Sequence, residues 1–464
     1  MTRRLGVTLV VARSPSTARA SASARLAIAA VLAALVLVVL DAAIVNIALP
    51  TLSRSLQVSP AASVLVVTAY QAALVMALLP SAALGESLGH RRVFAGGVAI
   101  FTLASGLCAL APTLAWLVVA RFVQGLGAAC VMALGVALLR TVVAPERLGA
   151  AIGWNALVVA LTSAAGPTVG ALVLSYASWP WLFLVNLPLG LLILVAARAL
   201  PARPGSARKI DPLSIGLNMA AFGLLIAGTE MLPRSPIIAG ALLVAGVLGV
   251  RGLLQRDRPK ASPLIPLDLL AAPSFRLSVI ASICCFTGQA AGLVALPFYL
   301  QHTLGLTPLE TGLYITPWPL MAAVSATFAS RLASPGSTAW LCAGGCALLS
   351  AGLFAVCAWP VAGGPVAIMP MVMLCGLGFG LFQVTNNRNM FLSAPQARSG
   401  AAGGLQSLAR LSGQTTGVVA MTLMFSLAPV DVAPRIGLAV GAVLTLTAGL
   451  LSTRHQASPA PLQV

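Results

Sequence analysis

Three ionisable side chains fall inside long apolar runs. Asp41 lies within Leu40-Asp41-Ala42-Ala43-Ile44-Val45-Asn46-Ile47-Ala48-Leu49-Pro50, Arg121 within a run that starts near Leu114, and Arg410 within Ser407–Gly413. Keeping a charge in hydrocarbon is costly, so each is a functional candidate by default. At 1.5 Å per helical residue, counted from Thr51 and Leu114, Asp41 lies about 15 Å deep and Arg121 about 10 Å. Those depths let the two pair directly or through water. Burial favours a protonated carboxyl and a neighbouring guanidinium favours the carboxylate. A carboxylate that alternately meets water, arginine or a cationic substrate therefore has what proton coupling needs. A static ion pair joining two helices is the other reading. Arg410 fits packing or carbonyl capping as well as a cavity role.

Polar residues in apolar runs extend the list of cavity candidates: Asn46, Tyr70, Gln71, Gln124, Trp154, Asn155, Gln289, Gln383 and Asn386, beside Arg410. Each also suits a helix–helix hydrogen bond. In Ala82-Ala83-Leu84-Gly85-Glu86-Ser87-Leu88-Gly89-His90-Arg91-Arg92, two glycines permit a tight turn and Glu86 can meet basic residues or a helix N-terminus. Gly166-Pro167-Thr168-Val169-Gly170 should break a helix within the membrane, as a hinge or a close-packed interface. Gly85, Glu86, Gly89, Arg91, Gly166, Pro167 and Gly170 are thus the gating candidates. Trp179, Trp181, Trp318 and Trp359 read as interfacial anchors, and His302, Glu310 and Glu230 as solvated. All eight cysteines lie in apolar stretches, where they act as small hydrophobes. Neither a metal site nor a cofactor is expected. No GxxxxGK[ST] run occurs, which excludes an ATP-driven pump within this chain and leaves an ion gradient as the energy source.

The elements that position these residues follow from composition. Of 464 residues, 59% are hydrophobic and 8% charged, and the mean hydropathy is +1.00. So few charges cannot cover a soluble enzyme's surface. The +18 net charge does not mark a nucleic-acid binder, because the basic residues are spaced between apolar stretches. Charge, proline and glycine punctuation gives fourteen helical spans: an all-α membrane protein. The first apolar run continues to Pro50 without a small-residue cleavage site and reads as a span, not a removed signal. With the N-terminus inside, 22 of the 27 Lys and Arg residues fall in cytoplasmic segments and only Arg54, Arg234 and Arg435 fall outside. Both termini are then cytoplasmic, in a multi-pass inner-membrane protein.

An internal repeat sets the architecture. Gly125-Leu126-Gly127 recurs as Gly376-Leu377-Gly378, an offset of 251, and the same offset maps Arg147, Gly149, Ala150, Ala151 and Gly153 onto Arg398, Gly400, Ala401, Ala402 and Gly404, and Gly166 onto Gly417. Ala48-Leu49-Pro50 echoes Ala295-Leu296-Pro297 at offset 247. Two parallel six-helix halves, 26–199 and 277–453, follow, with a linker of two inserted helices at 200–276 and tails at 1–25 and 454–464. The inserted pair carries few polar residues and should line the outside of the bundle.

These segments resemble the fourteen-helix drug:proton antiporters of the major facilitator superfamily. Leu40–Pro50 resembles that branch's first-helix motif, and Ala82–Arg92 is similar to the superfamily's loop between helices 2 and 3, with Ala82, Glu86, Ser87 and His90 departing from it. Arg121-Phe122-Val123-Gln124-Gly125-Leu126-Gly127-Ala128 resembles the helix 4 motif, whose arginine the family links to proton movement. Gly166-Pro167 with Gly170 resembles the antiporter motif of helix 5, with Ala171 in place of its last glycine. Trp179–Gly190, Leu296–Gln301 and Ser407–Gly413 also look like this branch. The resemblance implies a proton-driven multidrug exporter working by alternating access on small molecules and protons, within the lipid bilayer and as a monomer. It names no periplasmic adaptor. The family's helix 10 and 13 acids have no match here, which argues against dicationic substrates. Export of one endogenous metabolite, uptake by symport, and a non-transporting membrane sensor or assembly factor remain open at this stage.

The charge asymmetry has a direct test. Ser206→Cys in a cysteine-free background should resist membrane-impermeant maleimides in intact cells and react after lysis. Ready labelling in intact cells would invert the topology.

Overall fold

A computed structural model describes residues 15–143, 145–202, 211–257, 267–332, 337–394 and 399–454. Ser206, the two chain ends and the side chains of Arg147, Gly149, Asn155 and Arg398 lie outside the described residues. The described chain is helical: α1 Pro15–Ser55, α2 Pro60–Leu88, α3 His90–Ala109, α4 Leu114–Val142, α5 Pro145–Tyr176, α6 Trp181–Leu184, α7 Asn186–Ala196, α8 Pro212–Met231, α9 Pro236–Asp257, α10 Pro273–Phe298, α11 Pro308–Ile315, α12 Pro317–Leu332, α13 Thr338–Ala358, α14 Ile368–Leu392, α15 Ser399–Leu427 and α16 Ala433–Thr453. Single-residue breaks separate α6 from α7 and α11 from α12, so these segments form fourteen rods. Among the described residues, eleven helices are long and apolar enough to cross a membrane.

Local chemistry sets several boundaries. Ser59 caps α2 by accepting from the Ala62 N–H, with Pro60 behind it, and Thr113 caps α4 by accepting from Trp116. Thr307 and Glu310 form a reciprocal capping box on α11. The α6/α7 break at Val185 lies three residues before Pro188, whose ring clashes with the preceding turn, and the α11/α12 break at Thr316 precedes Pro317. Elsewhere proline did less than expected. Helix α1 runs through Pro50 to Ser55, and α10 runs past Pro297 into a π-helical turn over Tyr299–Thr303. Pro167 sits inside an unbroken α5, so the expected break there is absent. Tight packing on both sides of α5 holds the helix through its lost hydrogen bond: Gly166 and Gly170 abut Ala43 and Ile44 of α1, and Pro167 abuts Gly312 of α11.

The repeat is visible as contacts. In the N-terminal bundle α4 packs on α2 and α3, and α1 on α5 and α7. In the C-terminal bundle α14 packs on α12 and α13, and α10 on α15 and α16. The paired glycines sit at matching places. A Cβ on Gly125 would stand 2.6 Å from the Tyr70 carbonyl oxygen of α2, and one on Gly376 would collide with that of Trp318 in α12. On Gly127 it would lie 2.6 Å from the Gly97 carbonyl oxygen of α3, and on Gly378 it would strike Gly345 of α13. Gly166 meets Ala43, while Gly417 meets Ala290 of α10 at 2.9 Å; Ala43 and Ala290 differ by the same 247 residues as the two Ala-Leu-Pro turns. Small residues here let backbones approach.

Helices α8 and α9 pack on each other, and α8 rests on α2 and α15, with Asn218 Nδ2 donating to the Met76 carbonyl at 2.8 Å. Ile237, Val244, Val247 and Leu248 of α9 are exposed, as a lipid-facing surface requires.

The glycine contacts predict a contrast. Gly127→Val should cost about 1–3 kcal/mol by overpacking. Gly96→Val, whose Cβ would meet nothing within 4 Å, should be close to neutral. Thermal unfolding of the two purified variants in one detergent reads the difference, and equal midpoints would contradict the close approach.

Candidate functional site

Asp41 and Arg121 meet in the heart of the N-terminal bundle. Arg121 Nη1 donates to Asp41 Oδ2 at 2.5 Å and to Gln124 Oε1 at 2.6 Å, and its Nε donates to the Val66 carbonyl at 3.3 Å. The other carboxylate oxygen accepts from Gln124 Nε2 at 3.0 Å and from Asn186 Nδ2 at 2.7 Å. Ser105 Oγ lies 2.7 Å from Gln124 Nε2 and 3.3 Å from Asn186 Nδ2. The Tyr70 ring lies under the guanidinium, 4.1 Å from its carbon to the ring centroid. Asp41 is 0% and Arg121 1% exposed. Five elements, α1 to α4 and α7, thus converge on one carboxylate whose oxygens are both hydrogen-bonded, the condition for tolerating a buried pair.

Between the two bundles lies a central cavity of about 530 Å³. Helix α1 divides the site: Val38, Ala42 and Asn46 line the cavity, while Asp41 points the other way, towards α4. Tyr70 and Gln71 of α2, Gln289 of α10, Gln383 and Asn387 of α14, and Arg410 and Gln414 of α15 supply the polar wall. Phe286, Phe379 and Trp318 supply aromatic wall. Asn46 Oδ1, Gln71 Oε1, Gln289 Oε1 and Trp318 Nε1 have no hydrogen-bond partner. At the end where α1 finishes, the bundles are bolted together. Arg54 Nη2 donates to Gln301 Oε1 and Gln301 Nε2 to the Ile47 carbonyl, both at 3.3 Å, and the Thr168 and Thr316 hydroxyls lie 2.5 Å apart.

Several expected site residues lie elsewhere. Gln124 belongs to the Asp41 cluster, not to the cavity wall. Asn386 is buried against α10, donating to Ser282 Oγ at 2.7 Å and to the Ser278 carbonyl; its neighbour Asn387 faces the cavity. Trp154 is 62% exposed, off the cavity wall. Trp318 is 1% exposed and lines the cavity instead of anchoring an interface. Glu230 is not solvated: it is half-buried where α8 meets α15, accepting from Thr422 at 3.4 Å. Gly89 explains the glycine spacing after α2. Its φ of 98° suits glycine, and its N–H donates to the Gly85 carbonyl. Glu86 stands exposed on that last turn, and Arg91 lies in the first turn of α3.

A family model described as Major Facilitator Superfamily matches residues 31–418. The chain belongs to this superfamily. It is a multi-pass membrane transporter and not an enzyme. The transporter is 41% identical over 420 residues to the uncharacterized transporter YebQ of Escherichia coli, across 89% of this chain and 92% of that one. It is 30% identical to the tetracenomycin C resistance and export protein of Streptomyces glaucescens, across 87% of this chain and 76% of that one. In fold it is similar to a bacterial homolog of the human lysosomal transporter Spinster, in an inward-facing and unoccupied conformation, with a TM-score of 0.67 at 12% identity over 97% of this chain and all of that one.

Within the transporter the Asp41–Arg121 pair should behave as a unit. Arg121→Met strands a buried carboxylate and should cost about 3–5 kcal/mol. Adding Asp41→Asn should recover part of that loss, with a coupling of about 1–3 kcal/mol between the sites. Thermal unfolding of the two single variants and the double, at matched lipid content, measures this coupling. Strictly additive losses would mean that the pair does not act jointly.

Proposed function

We propose that the chain is a proton-coupled exporter of apolar or amphipathic compounds, a drug:proton antiporter with fourteen spans arranged as six, two and six. It sits in the inner membrane with both termini cytoplasmic and works as a monomer. The observation that carries this reading is Asp41, a carboxylate sealed from solvent on the far side of the same helix that lines the cavity. Protonation would remove the charge that holds Arg121 and loosen α1 from α4. Moving α1 moves Val38, Ala42 and Asn46, so the proton state and the cavity's shape change together. Tyr70 links them a second time, with its ring under Arg121 and an edge on the cavity.

With the N-terminus inside, the Arg54–Gln301 and Thr168–Thr316 contacts close the periplasmic end and the arrangement is inward-facing. Opening outward requires α5 to part from α11 and α1 from α10. The unbroken α5, with Gly166 and Gly170 packed against α1 and Pro167 on its opposite side against α11, then moves as one lever with α1. Gly85, Glu86, Gly89 and Arg91, at the opposite end, form the cytoplasmic gate that closes in exchange. The similarity to a protein named for tetracenomycin C resistance and export supports outward transport.

Efflux of a compound panel from cells lacking their own pumps should identify a substrate, and purified protein in liposomes with an imposed proton gradient then tests coupling. Asp41→Asn keeps size and one hydrogen-bonding oxygen but cannot titrate. It should fold and bind substrate, yet lose gradient-driven flux at least about tenfold, the lower range of general acid–base contributions being larger. Flux equal to wild type, at equal protein level, would remove Asp41 from the mechanism.

A further inference from the structure

The cavity wall is electrostatically one-sided. Among the described residues, Arg410 is the only charged one on it. Among the described residues no carboxylate shares that wall. Asp41 is occupied by Arg121, Asp211 pairs with Arg256, Glu310 caps its own helix, and Glu230 lies at the α8–α15 contact. No hydrogen bond or ion pair reaches Arg410 from the described residues. The 251-residue offset pairs Arg410 with Val159, which lines the opposite, N-terminal side of the same cavity. The charge is therefore confined to one bundle.

We propose that the cavity selects amphipathic organic anions, with Arg410 as the anchor of a carboxylate or sulfonate head. The proposal rests on the reading of this cavity as the transport site. A planar guanidinium in a largely apolar chamber is built for bidentate oxyanion recognition, and desolvation strengthens the contact. Gln414, one turn along α15, and Asn387 and Gln383, one turn apart on α14, offer amide N–H groups for the remaining oxygen lone pairs. Phe286 and Phe379, edge to face with centroids 5.4 Å apart, and Trp318 form a slot for an aromatic or alkyl body. A cationic head in the same place meets like charge with no acid to offset it, which supplies the rejection that selectivity requires.

Three probes on one scaffold isolate the head charge: naphthalene-2-sulfonate, neutral 2-naphthamide and the 2-naphthyl-trimethylammonium cation. Binding to the full-length protein is read by ligand-induced thermal stabilisation, and transport by gradient-driven flux in proteoliposomes. The sulfonate should bind wild type roughly tenfold or more tightly than either companion, and Arg410→Gln should weaken it by roughly ten- to a hundredfold while leaving the amide unchanged. Arg410→Lys should fall between. Gln414→Glu keeps Arg410 in place but supplies an acid one turn away, so it should erase the preference even if Arg410→Gln folds poorly. Equal binding of the three probes, no sulfonate binding, or sulfonate binding indifferent to both substitutions would overturn the proposal. Flux of all three probes regardless of charge would leave the exporter reading standing and sink the anion site. Arg410-dependent sulfonate binding without flux of any probe would support the anion site and count against the exporter reading.

Discussion

The structure is organised around an ion pair that stability alone does not explain. Replacing a buried pair by well-packed apolar residues is often neutral or stabilising, whereas removing one partner is severe. Asp41 and Arg121 impose a chain of requirements on their surroundings. Both carboxylate oxygens need donors, which Gln124 and Asn186 provide, and Ser105 fixes those two amides. The guanidinium needs a face to rest on, so Tyr70 must come close. That closeness exists because Gly125, four residues past Arg121, lets α4 meet the α2 backbone at Tyr70 itself. One carboxylate thus dictates the contacts of five helices.

The two bundles share a frame but not a chemistry. At the repeat offsets, the C-terminal counterparts of Asp41 and Arg121 are Gly288 and Val372. Gly288 lets α10 press on α16, where a Cβ would stand 2.5 Å from the Gly441 carbonyl oxygen, and Val372 is buried. Where the N-terminal bundle keeps a titratable, hydrogen-bonded centre, the C-terminal one has dry backbone packing. The cavity reverses the assignment: there the charge belongs to the C-terminal bundle. The two bundles thus match in helix packing at the repeat offsets and differ in where their charge sits.

Much of this was legible in the sequence because membrane chains punctuate themselves. Apolar run length marks the helices, and a charge inside such a run stands out, so Asp41 and Arg121 could be matched by depth alone. The glycine offset foresaw the matching interhelical contacts. Azimuth was harder to read. Asn386 and Asn387 are adjacent, and about 100° of helix rotation sends one into α10 and the other into the cavity. A hydropathy reading does not resolve that rotation, because the polar residues of α14, Gln383 and Asn386 to Asn389, are spread over several of its sides. Trp318 misled for a related reason: a tryptophan in an apolar run suggests an interface, but this one is buried on the cavity side of α12. Asn186 lay within a quoted motif without a role, since only the break at Val185 brings α7 against Asp41.

In the proposed mechanism, placing the carboxylate behind α1, away from the cavity, has a physical consequence. A titratable acid on the cavity wall would meet every ligand directly, so ligand charge would compete with the proton by Coulomb interaction. Behind the helix, Asp41 is sealed from cavity water, and in the proposed mechanism a proton there would reach a ligand through the position of α1 and the Tyr70 ring. Coupling of the kind proposed would then depend on a mechanical displacement shared by all ligands and not on the headgroup of any one. That would leave the cavity wall to carry its own charge, as Arg410 does, apart from Asp41. It also explains why the cation beside Asp41 is an arginine fixed by a backbone carbonyl, an amide and an aromatic face. A partner held on three sides would stay put if the carboxyl lost its charge, so the proposed displacement would fall on α1, the helix that carries Asp41 and lines the cavity.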